Sequence, residues 1–175
     1  VHVSPTHASF DFDGTKLFVT DQRSLNGVYR RVQSDITLQD GDFLRLGRQV
    51  LRYEGLVSAP TLVPTQAGDE TQVWGSPVEG AFGRLLQVMQ DGRAGDVRLL
   101  CGDGAVLGRE QGDIVFPTDG FVSGRHCEIV REGPAVRLRD LGSSNGTYIR
   151  LRAKTEIAHG DFLLIGNQML RVEVI

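Results

Sequence analysis

The feature that most constrains this chain is an internal repeat. Residues 3–54 align without a gap to residues 122–173, since Ser4 matches Ser123 at an offset of 123 − 4 = 119. The match is densest where G-D-F-L-R-L-G-R-Q-V-L-R is followed, one repeat later, by G-D-F-L-L-I-G-N-Q-M-L-R. Solenoid repeats are only about 20–45 residues long. A period of this length therefore indicates two domains in tandem.

Short alternating runs predict the fold class. Apolar and polar residues alternate in runs such as Ala8–Phe12, Cys127–Val130 and Ala135–Leu138, and turns rich in Gly, Asp and Asn separate the runs. Many short strands at close spacing are typical of an antiparallel β-sandwich. We therefore predict an all-β protein in which two antiparallel β-sandwiches follow each other.

The two copies have unequal lengths. Residues 81–120 precede the S-G-R-H motif of the second copy, whereas only residues 1–3 precede the matching S-P-T-H. We predict the C-terminal part of a first, incomplete domain over residues 1–55, a Pro- and Thr-rich linker over 56–82 and a complete domain over 83–175. A truncated sandwich leaves strand edges open. We therefore expect a longer natural chain or another segment to complete the first sheet.

Composition argues against several functional classes. The formal net charge of −3 provides no basic field for nucleic acid. Apolar runs such as Phe162–Ile165 are far shorter than the roughly 20 residues that cross a bilayer. Cys101 and Cys127 are too few for a disulfide framework, and the four histidines lack metal-ligand spacing. With no nucleophile elbow or P-loop either, we expect a cytoplasmic protein that is not an enzyme and needs no metal or cofactor.

Short polar motifs in the second copy resemble a known family. They are Gly108-Arg109, S-G-R-H at Ser123–His126, S-S-N-G-T at Ser143–Thr147 and Gly160-Asp161. Their order and spacing closely resemble the forkhead-associated (FHA) domain over residues 83–175, and residues 1–55 resemble its C-terminal half. The resemblance implies an eleven-stranded β-sandwich that binds phosphothreonine peptides through loops at one end.

The residue types in these motifs suit a phosphate. A phosphothreonine carries a charge of about −1.5 to −2 and three acceptor oxygens, so its site needs a cation and neutral donors on rigid loops. We expect Arg109 to supply the cation and the hydroxyls of Ser123 and Ser144 to donate. Gly124 offers an N–H that no side chain shields. Asn145 is suited to bridging an extended peptide backbone, because its amide both donates and accepts.

Other residues near the motifs receive separate predictions. Phe121 is expected to read side chains C-terminal to the phosphothreonine. Arg125 is assigned to the site, although many family members carry their basic residue one position earlier; if it points away, phosphate affinity depends more on Arg109. The joint motif disfavours the alternative that Arg109 is an ordinary surface charge. A hairpin turn alone does not account for Asn145-Gly146, because the first copy keeps Asn26-Gly27 while its other polar positions differ. Structural roles are predicted for Gly108, His126, Ser143 and Gly146.

The first copy departs from the phosphate-binding pattern. Pro5 replaces Gly124 and has no N–H to donate, Thr6 replaces Arg125, and Leu25 places an apolar side chain where Ser144 has a hydroxyl. The Gly-Arg pair of this copy would fall before residue 1. We therefore expect the first copy to be degenerate as a phosphate reader.

Three functional hypotheses follow. The leading one is a phosphothreonine-peptide-binding module in bacterial Ser/Thr-kinase signalling, whose partner is a phosphothreonine-containing protein. The alternative is a phospho-independent scaffold that forms homo-oligomers through the incomplete first sheet. A third hypothesis is that Thr71, in G-D-E-T-Q-V-W, is phosphorylated and occupies the second domain's site or a neighbour's. Its alternative is an unmodified polar linker.

Overall fold

The computed structural model describes residues 2–56 and 80–174, and within these ranges the chain forms strands and turns without a helix. The predicted all-β class is confirmed. None of the described residues forms a helix that could span a membrane. Thr71 lies outside the described residues. The first repeat contributes six strands, numbered in chain order: β1 (Ala8–Phe12), β2 (Leu17–Asp21), β3 (Val28–Arg31), β4 (Ile36–Thr37), β5 (Phe43–Leu46) and β6 (Gln49–Gly55).

The second repeat and the residues before it contribute ten further strands. They are β7 (Ala81–Val88), β8 (Ala94–Cys101), β9 (Gly104–Gly108), β10 (Ile114–Val115), β11 (Cys127–Glu132), β12 (Ala135–Asp140), β13 (Thr147–Arg150), β14 (Thr155–Ile157), β15 (Phe162–Ile165) and β16 (Gln168–Arg171). Successive side chains of a strand point to opposite faces. In β12, for example, Val136 and Leu138 are buried while their neighbours are only half-buried.

The strands form three sheets, and each sheet contains strands of both repeats. Their orders are β1-β2-β14, β10-β9-β11-β12-β4 and β16-β15-β3-β13-β5-β6-β7-β8. Every pairing is antiparallel except the short pair β9 and β10. Strand β13 pairs with β3 and β5 of the first repeat, whereas β15 pairs with β3. The two repeats therefore exchange their C-terminal strands.

An approximate twofold axis passes between β3 and β13. This ladder pairs Tyr29 with Arg150 and Arg31 with Tyr148, and exchanging each residue for its repeat equivalent converts one pair into the other. The same relation holds for the packing of each arginine. Arg31 lies over the ring of Phe162 and Arg150 over that of Phe43, at 5.5 and 5.4 Å from the ring centroids. The exchange is thus reciprocal.

The two Gly-Asp motifs are anchored across the repeats. Asp161 is 3% exposed and accepts a hydrogen bond from Nη2 of Arg30 at 3.0 Å. Its equivalent Asp42 is 2% exposed and accepts from Nε of Arg152 at 2.6 Å. Because a buried carboxylate is costly unless it is paired, both contacts favour the exchanged arrangement.

Strands β4–β13 form one complete sandwich although they come from both repeats. They are contiguous in the chain, so the C-terminal strands of the first repeat precede the opening strands of the second. The sandwich is therefore a circular permutation of a single repeat. Its core is one cluster of buried side chains: Val32, Leu38, Leu44, Leu46, Leu51, Tyr53, Leu85, Leu100, Ala105, Leu107, Ile114, Val122, Cys127, Ile129, Val136 and Leu138.

The linker connects two neighbouring strands of this sandwich. Gly55 of β6 pairs with Gly83 of β7, and the N–H of Leu56 donates to the carbonyl of Phe82 at 3.3 Å. The chain therefore leaves and re-enters the sandwich at the same end. That end is opposite the β5–β6 turn, because β6 runs its full length between the two.

Strands β1–β3 and β14–β16 form a second, smaller unit. Within residues 2–56 and 80–174 it has no counterparts of β7–β10, and its edges are exposed: Phe10 is 47% exposed where Ile129 is 0%, and Leu170 is 41% exposed where Leu51 is 3%. One of these edges belongs to each repeat, whereas open edges were expected for the first copy only. The core of this unit is a separate cluster of buried residues: Val19, Val28, Ile157, Leu163, Ile165 and Val172.

The strand pairing crosses the predicted boundaries at residues 1–55 and 83–175. The β4–β6 and β14–β16 segments share the sequence G-D-F-L and other apolar positions, so either set could fit beside β13. In the structure β6 forms five ladder pairs with β7, whereas β16 pairs, among the described residues, only with β15. The first repeat's strands therefore complete the sandwich.

Candidate functional site

Three loops meet at the end of the complete sandwich that is remote from the linker. They follow β9, precede β11 and connect β12 with β13, and we call them the rim loops. The backbone N–H of Arg109 donates to the carbonyl of Ser123 at 2.9 Å. The carbonyl of Gly124 accepts from the N–H groups of Glu110 and Gln111 at 3.3 and 3.0 Å. These bonds bring the Gly-Arg and S-G-R-H motifs together.

Gly108 permits this close approach of two loops. A Cβ atom at Gly108 would collide with the carbonyl oxygens of Gly124 and Gln111. A backbone obstacle cannot move aside as a flexible side chain can. The residue before Arg109 is therefore glycine for a steric reason, and the contact fixes the backbone from which the arginine projects.

Arg109 carries the central cation among the rim loops. Its side chain is 37% exposed, and its guanidinium contacts Oε1 of Glu110 through Nε at 2.9 Å and Nη2 at 2.6 Å. Glu110 is itself 62% exposed in its side chain. Exposed ion pairs contribute only about 0–1 kcal/mol. An anion with better geometry could therefore replace this carboxylate.

Ser123 connects two rim loops through its side chain. Its Oγ accepts a hydrogen bond from the backbone N–H of Ser144 at 3.1 Å, which leaves the hydroxyl hydrogen available to donate. Asn145 makes a similar link, since its Nδ2 donates to the carbonyl of Phe121 at 2.9 Å. Ser144, Asn145 and Phe121 are all exposed, so each side chain is accessible to a ligand.

His126 is a buried support of the rim. Its ring is 0% exposed, Nδ1 accepts from the N–H of Ser123 at 3.0 Å, and Nε2 lies 3.1 Å from the carbonyl of Gly146. Accepting at Nδ1 leaves Nε2 as the protonated nitrogen that donates to this carbonyl. Burial lowers the pKa of His126, although the hydrogen bond to Gly146 and the charge of Asp140 oppose the change. The neutral ring therefore joins two loops.

Asp140 organises the loop between β12 and β13. Its Oδ2 accepts from the hydroxyls of Ser143 and Thr147 at 2.6 Å each, and its Oδ1 accepts from the N–H of Ser143 at 2.8 Å. Ser143 in turn accepts from the N–H of Gly146 at 3.0 Å. Burial raises the pKa of Asp140, but these hydrogen bonds outweigh it and the net pKa is lowered. The carboxylate stays ionised and holds the turn.

The remaining predicted residues differ in their surroundings. Gly124 has open space where a Cβ would lie, so no protein atom requires glycine there. Arg125 is exposed, and no ion pair involves it in the described part of the chain. Its position beside the rim is compatible with ligand contact or with an ordinary surface charge.

The first repeat supports the rim of the second, a contribution that sequence reasoning missed. Oδ2 of Asp119 accepts from the N–H of Arg48 and from Nε2 of Gln49, both at 2.8 Å. Oδ1 of the same carboxylate accepts from the N–H of Phe121 at 3.0 Å. Burial raises the pKa of Asp119, but the hydrogen bonds from Gln49, Arg48 and Phe121 together outweigh burial. The net pKa is therefore lowered. No sequence signal links residues 48 and 119, because the link depends on the exchanged strands.

Arg31 provides a second contact from the first repeat. Its Nη2 donates to the carbonyl of Ser143 at 3.4 Å, and its Nε would lie 2.5 Å from a Cβ at Gly146. Gly146 has φ +84°, a conformation that L side chains rarely adopt. The backbone conformation therefore favours glycine after Asn145, and any side chain there would also displace the guanidinium of Arg31.

The first repeat preserves the hydrogen-bonding framework of the rim but not all of its polar side chains. His7 accepts from the N–H of Ser4 at 3.0 Å and lies 3.0 Å from the carbonyl of Gly27, as His126 does in the second repeat. Asn26 donates to the carbonyl of His2 at 2.8 Å. Leu25, however, is 87% exposed in the position of Ser144. The framework is therefore present although the hydroxyl of Ser144 has no equivalent.

The described residues contain no group of three or more His, Cys, Asp and Glu side chains that could hold a metal ion. Cys101 is exposed and Cys127 is buried, and both thiols are free. Burial raises the pKa of Cys127 to about 12. The buried thiol is therefore protonated and unreactive at neutral pH.

Comparison with known proteins agrees with these motifs. The FHA domain family matches residues 1–47 and 105–166. The chain is 32% identical over 112 residues to an oxoglutarate dehydrogenase inhibitor from Corynebacterium jeikeium, covering 62% of this chain and 78% of that protein. It is 36% identical over 107 residues to the glycogen accumulation regulator GarA from Mycolicibacterium smegmatis, covering 59% and 66%. No solved structure matches the chain. Three of the four motifs meet among the rim loops, whereas Gly160-Asp161 lies before β15 in the smaller unit. The family match covers most of the chain, and the chain belongs to the FHA domain family.

Proposed function

We propose that the rim loops of the second repeat form the phosphate site of a phosphothreonine-peptide-binding module in Ser/Thr-kinase signalling. FHA domains are among the families that read phosphorylated motifs with arginine. The observation that carries the assignment is the convergence of Arg109, Ser123 and Ser144 through two hydrogen bonds, Arg109 N–H to the Ser123 carbonyl and Ser144 N–H to the Ser123 hydroxyl. One cation and two hydroxyl donors are thereby held together.

The proposed binding step is an exchange of anions at Arg109. The phosphate replaces Glu110 as the partner of the guanidinium, because a doubly charged group with three oxygens offers more acceptors than one carboxylate. The hydroxyls of Ser123 and Ser144 donate to the remaining oxygens, and further contacts are assigned to the unshielded N–H of Gly124 and to the exposed side chain of Arg125.

The peptide backbone is assigned to Asn145 and its C-terminal side chains to Phe121. Asn145 uses its Nδ2 on the carbonyl of Phe121, which orients the amide and leaves Oδ1 free to accept from a peptide N–H. Phe121 is 49% exposed and adjoins that amide. His126, Ser143 and the glycines at 108 and 146 act as supports and do not contact the ligand.

Binding of a labelled phosphothreonine peptide, measured by fluorescence anisotropy, tests the assignment. We expect Arg109→Ala to weaken binding at least about tenfold, since hydrogen bonds to charged groups contribute about 1.5–3 kcal/mol. The matched control is Arg131→Ala, which removes an exposed arginine at the far end of β11. Equal affinity of wild type and Arg109→Ala, or equal binding of the unphosphorylated peptide, contradicts the proposal.

A binding and regulatory role without enzymatic activity fits the relatives, whose names describe an inhibitor and a regulator. We propose that the partner is a phosphothreonine-containing bacterial protein in the cytoplasm, phosphorylated by an upstream Ser/Thr kinase. The alignment covers 66% of GarA, so the targets of that relative are not carried over to this chain. The identity of the target is therefore best sought with a phosphopeptide array.

A phosphorylated linker is a second source of ligand. Thr71 is 80 − 71 = 9 residues from Gly80, a span of at most about 32 Å even when fully extended. Strand β7 alone separates the linker end from the rim by about 27 Å. Cis binding is thus near the limit of reach, and binding to a neighbouring molecule is favoured. Mass spectrometry that never detects phosphate on Thr61, Thr65 or Thr71 in the native cell argues against this source.

The alternative function is a phospho-independent scaffold. It is supported by the exposed Phe10 and Leu170 at the edges of the smaller unit, since open edges and apolar side chains promote association. Light scattering across a concentration series separates the two functions. A strict monomer that retains phosphopeptide binding leaves the scaffold without support.

A further inference from the structure

We propose that Arg48, a residue of the first repeat, recognises an acidic side chain of the phosphopeptide bound by the second repeat. The proposal rests on the function proposed above and extends it, because it assigns part of the peptide's sequence preference to the other repeat. It arises from the exchanged strands, which place the β5–β6 turn against the rim loops.

The β5–β6 turn is packed tightly against the rim. A Cβ at Gly47 would lie 2.8 Å from Cγ2 of Val122 and 3.0 Å from both carboxylate oxygens of Asp119. The N–H of Arg48 and the side-chain amide of Gln49 both donate to Asp119 at 2.8 Å. The backbone from which Arg48 projects is therefore held in one position beside the rim.

The guanidinium of Arg48 lies on the ring proposed to contact the peptide. Its Cζ is 4.9 Å from the centroid of the Phe121 ring. An arginine stacked on an aromatic face is preorganised, and the N–H groups in its plane stay available for a bidentate carboxylate. Asn145 donates to the carbonyl of this same Phe121, so the cation adjoins the group assigned to the peptide backbone.

This cation has no carboxylate partner within residues 2–56 and 80–174. No ion pair there includes Arg48, whereas Arg109 already contacts Glu110. Asp119 is the acidic group that faces Arg48, and its two oxygens are occupied by three hydrogen bonds, from Arg48 N–H, Gln49 and Phe121 N–H. The exposed guanidinium is therefore left for a carboxylate that arrives with the ligand.

The equivalent turn of the second repeat lacks the charge. Asn167 stands in the position of Arg48, since 48 + 119 = 167. That turn lies against the loops of the first repeat, where Gly166 approaches the carbonyl of His2. The arginine is thus present on the turn beside the proposed phosphate site and absent from the turn beside the first repeat's loops.

The test compares phosphothreonine peptides in which each of the four positions after the phosphothreonine carries Glu or Gln in turn. We expect wild type to bind the Glu form about fivefold more tightly at one of these positions, in line with a partly exposed charge-assisted contact. Arg48→Gln removes the charge but keeps the backbone N–H, and should reduce this ratio to about one while the Gln form binds as before. Arg131→Gln, with the same change of charge far from the rim, should leave the ratio unchanged.

The outcomes separate this proposal from the one on which it rests. Binding that does not depend on phosphate overturns both. Phosphate-dependent binding with no preference for Glu, or with a preference that survives Arg48→Gln, overturns only the role of Arg48. An equal loss of affinity for the Glu and Gln forms, in a variant with wild-type thermal unfolding, also overturns it, because Arg48 would then contact the phosphate.

Discussion

Arg48 of the first repeat donates its backbone N–H to the carboxylate of Asp119 in the second, at 2.8 Å. This bond joins a turn that carries no phosphate-binding motif to the loop that carries Phe121. The rim is therefore supported from both repeats, and changes in the first are expected to alter recognition by the second.

Replacing Asp119 with Ala tests this support. The side chain is buried and accepts three hydrogen bonds, so we expect the free energy of unfolding to fall by about 2–3 kcal/mol. Phosphopeptide affinity should fall as well, since Phe121 loses an anchor. Urea denaturation measures the first effect, with Asp96→Ala as a control because Asp96 lies in an exposed ion pair. Similar unfolding curves for the two variants would show that Asp119 gives no support.

We predict that Glu110, the ion-pair partner of Arg109, competes with the proposed phosphate ligand. Replacing it with Gln removes the resident carboxylate and its repulsion of the ligand, so we expect phosphopeptide affinity to rise about two- to fivefold at low salt. The gain should shrink at high ionic strength because both groups are exposed. Titrations at two salt concentrations measure it. Weaker binding by this variant would mean that Glu110 positions the arginine instead of blocking it.

Gly146 is expected to tolerate no side chain. Gly146→Ala combines an unfavourable φ of +84° with a contact to Arg31, and we expect a loss of about 2 kcal/mol or more in stability. Gly133→Ala is the matched control, because its φ is +60° but nothing lies within 4 Å of the added carbon. The difference between the two variants in thermal or urea unfolding isolates the contact. Equal losses would leave Arg31 without a steric role.

The stability of the protein should depend on His126 at mildly acidic pH. Its pKa is lowered in the folded state, mainly by burial, so the unfolded chain takes up a proton first as the pH falls. The free energy of unfolding should therefore decrease below about pH 6.5, by at most about 1.4 kcal/mol per pH unit for one group. His126→Gln should reduce that slope between about pH 6.5 and 5. An unchanged slope would assign the dependence to other groups.

Cleavage of the linker distinguishes exchanged strands from separate sandwiches. A protease site introduced among residues 57–79 divides the chain into two fragments that share all three sheets. We expect the fragments to elute together and to separate only in denaturant, because the core of the complete sandwich draws on both. Two independent sandwiches over 1–55 and 83–175 would instead separate on cutting.

Most of the confirmed predictions came from local sequence patterns. Alternation in β11 and β12 and the fixed spacing of the S-G-R-H and S-S-N-G-T motifs indicated the all-β class and the family. The hydrogen bonds of Ser143 to Asp140 and Gly146 are equally local, because this short motif closes its own turn. For these features, residue type and spacing already specify the partner.

The partner of each C-terminal segment could not be predicted in the same way. Strands β5 and β15 both begin with Phe-Leu and end on an aliphatic residue, so the sequence supports pairing of either one with β13. Their choice depends on long-range terms such as the β6–β7 ladder. Residues whose neighbours depend on that choice, among them Arg31, Arg48 and Asp119, were consequently missed as parts of the site.

Because of the strand exchange, the loops of the first repeat and its strands β5 and β6 have different structural roles. Pro5 and Leu25 stand where the second repeat has Gly124 and Ser144, in a rim held by its internal hydrogen bonds. Strands β5 and β6 of the same repeat, in contrast, complete the sandwich that carries Arg109. Substitutions near residues 5 and 25 are therefore expected to have local effects, whereas substitutions in β5 or β6 should reach the rim loops of the second repeat.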